Sequence, residues 1–204
     1  MDKNYWDNFY KNHSSDETLQ KESTFARFCQ ENIFKDQKYN ILELGSGNGR
    51  DAIFFAEKGH SVTAVDQSIA IQRNIKNLDF EQQDFIQMEY SKFKDINVVY
   101  SRFTLHAIEV EKENIVIDKV FNHLPDKGLF LIEVRSIKDE LFGKGKNVGN
   151  NGFITTHYRR FIDSDLFVKK MLAKGFKLRY FTEENNLSIY ENDNPFLIRV
   201  VFIK

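Results

Sequence analysis

The 204-residue chain predicts an α/β domain, a doubly wound parallel sheet with helices on both faces. Three observations carry this. Short, almost wholly apolar runs alternate with stretches of helical periodicity, and the first such run stops at a glycine cluster that opens a helix. Hydrophobic residues make up 41%, with 20 Phe and only two Pro, enough to fill a core whose elements are seldom interrupted. At this length a single domain, residues 1–204, is expected.

The elements follow in order. Near the N-terminus Tyr5/Phe9 and Trp6/Tyr10 are spaced as i, i+4 pairs on a helix. Residues 18–34 read as a second helix, with Phe25, Phe28, Cys29 and Ile33 at helical spacing, so residues 1–36 form a helical N-terminal segment. Residues 39–44 are a strand, and residues 51–58 a helix ended by Gly59. Residues 60–65 repeat the strand and close at Asp66; a short helix over 68–76 and a weaker strand over 78–82 come next. Residues 95–100 are a strand and 111–124 a helix, with Val116, Val120 and Leu124 on one stripe. Pro125 and Gly128 bracket a turn, and residues 129–134 form an apolar strand. Residues 143–152 hold four glycines and Val148 as the one apolar residue, the composition of a structureless loop. Asp163 or Ser164 caps a helix that Gly175 closes. Residues 176–181 and 196–203 then form an antiparallel strand pair at one edge of the sheet.

Composition narrows the function classes. Lys plus Arg number 29 against 30 Asp plus Glu, so the net charge of -1 advertises neither nucleic acid nor an anionic membrane as partner. The single Cys29 cannot form an internal disulfide and fits a reduced, cytoplasmic protein. No apolar run approaches the roughly 20 residues of a membrane span, and no group of residues has metal-ligand spacing. Charge is nevertheless uneven. Residues 134–160 carry six Lys/Arg against two acids, whereas residues 181–194 carry four acids and no base.

The most informative stretch is Glu43-Leu-Gly45-Ser46-Gly47-Asn-Gly49-Arg50-Asp51. Glycines on alternate positions let the backbone bend sharply and a ligand approach closely, while the following helix presents unpaired N–H groups. The dinucleotide-binding pattern G-x-G-x-x-G fits less well: the third glycine comes one residue early, and Arg50 holds the place of the last glycine. Glu43 would repel a pyrophosphate but attract an ammonium or a sulfonium. The turn therefore suits a ligand with a nucleoside at one end and a cationic amino acid at the other. Asp66, with Gln67 beside it, ends the second strand where a carboxylate can accept both ribose hydroxyls. Asp84 follows the third strand, placed to accept from an adenine amino group while Phe85 or Ile86 packs on the ring.

Together, residues 41–52, 59–68 and 83–85 resemble the successive motifs of class I S-adenosylmethionine (SAM) dependent methyltransferases, and most closely small bacterial members of the tellurite-resistance, thiopurine and capsule-modifying types. The resemblance covers residues 39–135 well. It implies a Rossmann-like seven-stranded mixed sheet whose last strand is antiparallel, SAM as cofactor and S-adenosylhomocysteine as product. It also places Gly45, Gly47 and Gly49 around the methionine part, Asp66 on the ribose and Asp84 at the adenine. Ser101, Arg102 and His106, after the fourth strand, are implied to lie beside the sulfonium, with His106 as the candidate base.

The acceptor is expected to be a small molecule, not nucleic acid or membrane, and the protein a monomer or homodimer. An acceptor-side insertion, residues 136–162, ends in His157, Tyr158, Arg159 and Arg160; with Lys144 and Lys146 these make a site for a phosphate, phosphoramidate or carboxylate group. Tyr5, Trp6 and Tyr10 would cover the pocket. Glu22, Ser23, Phe25 and Arg27 resemble a second cover-helix motif. The resemblance implies methyl transfer to oxygen or nitrogen, in capsule or surface-sugar modification or in detoxification of the thiopurine or tellurite type; a SAM- or nucleotide-binding protein without turnover is the alternative. Among the phenylalanines, Phe9, Phe25, Phe85 and Phe103 stand where a ligand could touch them.

Overall fold

The computed structural model describes residues 3–13, 16–68 and 74–204. Helices α1 (Lys3–Asn12), α2 (Glu17–Gln20) and α3 (Thr24–Phe28) precede the sheet. The single helix expected over 18–34 is broken: Ser23 is extended, its hydroxyl accepts from the Ala26 N–H as an N-cap, and α3 widens into a π-helix at Cys29–Phe34. Strand β1 (Asn40–Leu44) leads through the glycine turn into α4 (Arg50–Glu57), then β2 (Ser61–Asp66) and β3 (Leu78–Gln82). Most of the helix expected over 68–76 lies outside the described residues. The chain continues with β4 (Val98–Arg102), α5 (Val110–His123) and β5 (Leu129–Arg135). The β4 segment begins later than its apolar run suggests: Asp95 takes a positive φ of 60°, and the Asn97 side-chain Oδ1 accepts from the Asn40 N–H at the sheet end.

Residues 143–152 are not a structureless loop. Strands β6 (Lys146–Gly149), β7 (Gly152–Ile154) and β8 (Tyr158–Arg160) form a small antiparallel sheet. Asn150 and Asn151 both take positive φ, 50° and 58°, in the two-residue turn of the β6–β7 hairpin. Asn tolerates that conformation through its short polar side chain. The hairpin lacks apolar alternation because β6 is exposed along its length, so periodicity could not report it.

Helix α6 (Ser164–Lys174) is capped by the Asp163 carboxylate and closed by Gly175 in the left-handed region. Strands β9 (Lys177–Glu184) and β10 (Leu197–Ile203) complete a seven-stranded sheet of order β3-β2-β1-β4-β5-β10-β9. β10 runs antiparallel to both neighbours, the expected mixed edge. Strand order reverses between β1 and β4, which pair in parallel, so their carboxyl ends border the crevice where such sheets bind ligands.

Side-chain alternation builds two cores. Leu42, Leu44, Val99, Phe130 and Ile132 face α5 and α6; Ile41, Val98, Tyr100 and Leu131 face α3, its π-turn and α4. The same alternation sends Glu43, Arg102 and Glu133, at the carboxyl ends of three strands, to the α3–α4 side. No helix among the described residues is long and apolar enough to cross a membrane.

Candidate active site

The glycine turn is a rigid cradle. Gly45, Gly47 and Gly49 have φ of 71°, 56° and 75°, a region closed to most L side chains. A Cβ at Gly45 would strike Thr104, at Gly47 the Tyr10 ring and hydroxyl, and at Gly49 the Phe80 ring at 2.7 Å. The amides of Gly45 and Ser46 donate to the Val65 carbonyl, tying the turn to β2. Asp66 accepts from the Gly47 N–H and from the Ser68 N–H, each at 2.8 Å.

Glu43 emerges under this cradle from the same face of β1 as Ile41. It is 4% exposed, and its Oε2 has no hydrogen-bond partner among the described residues. Burial, reinforced by the neighbouring Asp51 and Asp66 carboxylates, pushes its pKa well above the usual range. Such an arrangement calls for a cation. Asp51 does not share this vacancy: its carboxylate accepts from the Ser23 N–H (2.6 Å), the Ser23 hydroxyl (2.7 Å) and the Tyr100 hydroxyl (2.7 Å). It fastens α3 to the sheet.

A cavity of about 330 Å³ opens over the cradle and extends toward β8. Glu43, Asp66 and Arg50 form its floor at one end; His106, Arg135, His157 and Arg159 form its wall at the other. Arg50 Nη1 donates to the Thr18 carbonyl, holding α2 near the cradle. Tyr5, Trp6, Phe9 and Tyr10 of α1 roof the cavity. The Tyr5 ring stacks on His157 at 4.0 Å between centroids, and Trp6 meets it edge-on at 5.5 Å. Two groups far apart in sequence thus become one wall. Tyr10 lies over Gly47, and burial followed by the Asp66 charge pushes its phenol up to about 12.

The structure redistributes several expected site residues. Ser101 is fully buried, faces the α5 side, and pairs its hydroxyl with Thr104 at 2.5 Å, away from the cavity. Phe85 and Phe25 are core side chains, whereas Phe9 and Phe103 do reach the cavity. Asp84 accepts from the Ile86 N–H in its own turn, and neither it nor Gln67 lines the cavity. Arg160 pairs with buried Glu113 and donates to the Leu105 and Ile108 carbonyls, so it anchors β8 to the segment after β4. The Tyr158 ring packs against Gly152. Arg27 is exposed and pairs with Glu22. Lys144 and Lys146 are exposed and line no part of the cavity.

Sequence reasoning also missed the role of the acidic segment. Arg135 pairs with Asp139 and Asp193, and Lys138 with Glu183, so two of the six cations of the basic stretch are paired with the acidic one. Ser188, Ile189, Tyr190 and Asp193 close the remaining side of the cavity. Tyr190 donates to Asp16 at 2.7 Å and Arg102 to the Ser188 hydroxyl at 2.8 Å, joining this segment to both α2 and β4. Arg102 is held by Glu133, whose other oxygen takes Arg199 Nε; the register sets Arg102 and Arg199 on either side of Glu133. The available signal was the charged pair Glu133 and Arg199 inside otherwise apolar strands.

The methyltransferase-domain family profile matches residues 16–180. The chain belongs to that methyltransferase family. An uncharacterized methyltransferase of Staphylococcus carnosus is 28% identical over 95 residues, 45% of each chain, so the chain spans less than half the length of that curated relative. Among solved structures, the methyltransferase fold of this chain superposes on the Burkholderia thailandensis 1,6-didemethyltoxoflavin-N1-methyltransferase, crystallised with that substrate and S-adenosylhomocysteine. The TM-score is 0.70 at 14% identity, over 98% of this chain and 87% of the other. A glycopeptide N-methyltransferase, MtfA, with bound S-adenosylhomocysteine gives 0.66 at 16% identity over 90% of both chains.

Proposed function

We propose that this methyltransferase transfers a methyl group from SAM to oxygen or nitrogen of a small anionic acceptor. The observation that carries the cofactor is Glu43: a buried carboxylate oxygen without a partner, beneath a glycine cradle, fits the ammonium of an amino acid. Asp66, at the end of β2 with the turn amides beside it, stands where a carboxylate takes ribose hydroxyls in such sheets. When bound, SAM supplies an electrophilic methyl group, whose bond to sulfur breaks as an acceptor lone pair attacks, its electrons remaining on sulfur. The chain's part is alignment and exclusion of water. α1 and residues 187–195 cover the cavity, and residues of β1, β4 and β8 fix its two ends.

The acceptor end is read from Arg159. Its guanidinium lines the cavity, is half-buried, and has no carboxylate within ion-pair distance among the described residues. Burial and then Arg135 depress its pKa, so an acceptor anion there would relieve both effects. Two of the solved neighbours are N-methyltransferases by name, which supports nitrogen alongside oxygen as the methylated atom.

Calorimetric titration with SAM and with S-adenosylhomocysteine tests the cofactor. Binding in the micromolar range is expected, and no heat from either ligand at about 1 mM refutes the reading. Labelled-methyl incorporation across a panel of small carboxylates and phosphates then identifies the acceptor. For that acceptor Arg159→Ala should raise KM about 10- to 100-fold with little change in SAM affinity. An unchanged KM removes the anion site.

A further inference from the structure

The two imidazoles of the cavity both turn their lone pairs into the protein. Nδ1 of His106 lies 3.1 Å from the Arg135 backbone nitrogen. An amide N–H only donates, so Nδ1 accepts, and the neutral ring carries its proton on Nε2. His106 lines the cavity while Nδ1 faces β5, which leaves Nε2–H as the nitrogen turned toward a ligand. Nε2 of His157 lies 3.0 Å from Arg159 Nη2, and a guanidinium has only donors; His157 therefore accepts there and directs its Nδ1 proton to Thr156 Oγ1 at 3.1 Å.

The carboxylates around the cavity are committed elsewhere. Glu43 and Asp66 stand at the cofactor end. Asp51 holds Ser23 and Tyr100, Glu22 pairs with Arg27, and Asp193 pairs with Arg135. Among the described residues, the imidazoles and guanidiniums of the acceptor end thus turn N–H donors to the cavity, and the carboxylate that lines it there, Asp193, is held in an ion pair with Arg135.

We propose that His106 is a fixed hydrogen-bond donor to the acceptor, and that the enzyme selects acceptors whose reacting atom already holds its lone pair at neutral pH. These are ionised oxygens or unprotonated nitrogens, as distinct from alcohols and phenols that a protein base must deprotonate. The inference rests on reading this cavity as the methyl-acceptor site, and it replaces the role of base expected for His106 from sequence. The surroundings agree. Arg135 of β5, Arg159 and Arg160 of β8 and the preceding His157 all face His106, and Phe103 packs on it at 5.3 Å between ring centroids. Burial first, then Arg135 and the other cations, hold its pKa well below the ordinary imidazole value. An ionised acceptor oxygen that takes the methyl group loses one negative charge and no proton has to leave; a neutral nitrogen becomes a methylated cation whose proton passes to solvent after the transfer.

The test is nitrogen–proton correlation NMR of the imidazoles in the ¹⁵N-labelled full chain, with and without S-adenosylhomocysteine, from about pH 5.5 to 8. His106 should show the Nε2–H tautomer throughout, without a titration step. A proton on Nδ1, or a titration midpoint inside that range, overturns the proposal. Kinetics supply a second readout with the acceptor found by methyl incorporation. His106→Ala should raise acceptor KM about 10-fold while the shape of the kcat–pH profile stays as in wild type. Loss of an acidic limb in His106→Ala would instead identify a base. Failure of S-adenosylhomocysteine to bind counts against the methyltransferase reading alone, since the tautomer is measured without ligand.

Discussion

Replacing Glu43 by Gln should move stability and cofactor affinity in opposite directions. The buried Oε2 has no partner among the described residues and Asp51 and Asp66 stand nearby, so without a bound cation ionised Glu43 opposes folding. An unsatisfied buried polar group costs about 1–3 kcal/mol, and neutral Gln removes the charge at nearly constant volume. For a chain of this size about 2–4 °C accompanies each kcal/mol, so the melting temperature of Glu43→Gln should rise by about 2–12 °C at neutral pH. The sign of the pH dependence follows. The folded pKa lies above the ordinary 4.5, so the stabilising contribution is complete below 4.5 and is lost as pH rises through the folded value. Glu43→Gln should flatten that decline.

Cofactor binding should show the reverse. A charge-assisted hydrogen bond to the ligand ammonium contributes about 1.5–3 kcal/mol, so S-adenosylhomocysteine should bind Glu43→Gln about 10- to 150-fold more weakly. Wild-type binding should also release up to about one proton below the folded pKa, because the ammonium favours ionised Glu43. Thermal unfolding in the absence of ligand, and calorimetry in two buffers of different ionisation enthalpy, read both effects. A lower melting temperature together with affinity within about threefold of wild type would refute the assignment.

Two further outcomes follow from buried groups. Glu133→Ala strands the guanidiniums of Arg102 and Arg199, which leaves buried charge uncompensated at about 3–5 kcal/mol; circular-dichroism melting should fall by about 6–20 °C, and a shift under about 2 °C would contradict the ion-pair role. His60 accepts from the Tyr39 N–H and donates to Gln30, and burial, then Lys38, lowers its pKa to about 4 from the ordinary 6.5. Because only the unfolded chain is protonated between those values, stability should decline as pH falls from about 6.5 to about 4, measured by urea unfolding, and a chain whose stability is flat across that window would contradict it.

The core of the fold was legible because burial on both faces forces continuous apolar runs, and the runs at β1, β2, β5 and β10 are of that kind. The glycine turn was equally legible, since its three positive φ angles restrict the residue choice locally. The β6–β7 hairpin was not, because its polar flanks leave only the Asn-Asn turn as a signal. Nor did residue type distinguish Arg159, which lines the cavity, from Arg160, which anchors β8 to Glu113; alternation along one short strand separates them.

His106 makes the division plain. Its position after β4 marks it as a site residue, but its chemistry depends on the Arg135 amide, which the β4–β5 pairing brings to Nδ1, and on the cations of β8. The sequence by itself determined the parallel sheet, the glycine cradle and the acidic residues that face it, because each is set by neighbours within a few positions. Only the tertiary structure decided which charges remain unpaired in the cavity. Among the described residues, every ion pair that consumes the basic stretch joins it to a segment tens of residues away, apart from Arg135–Asp139.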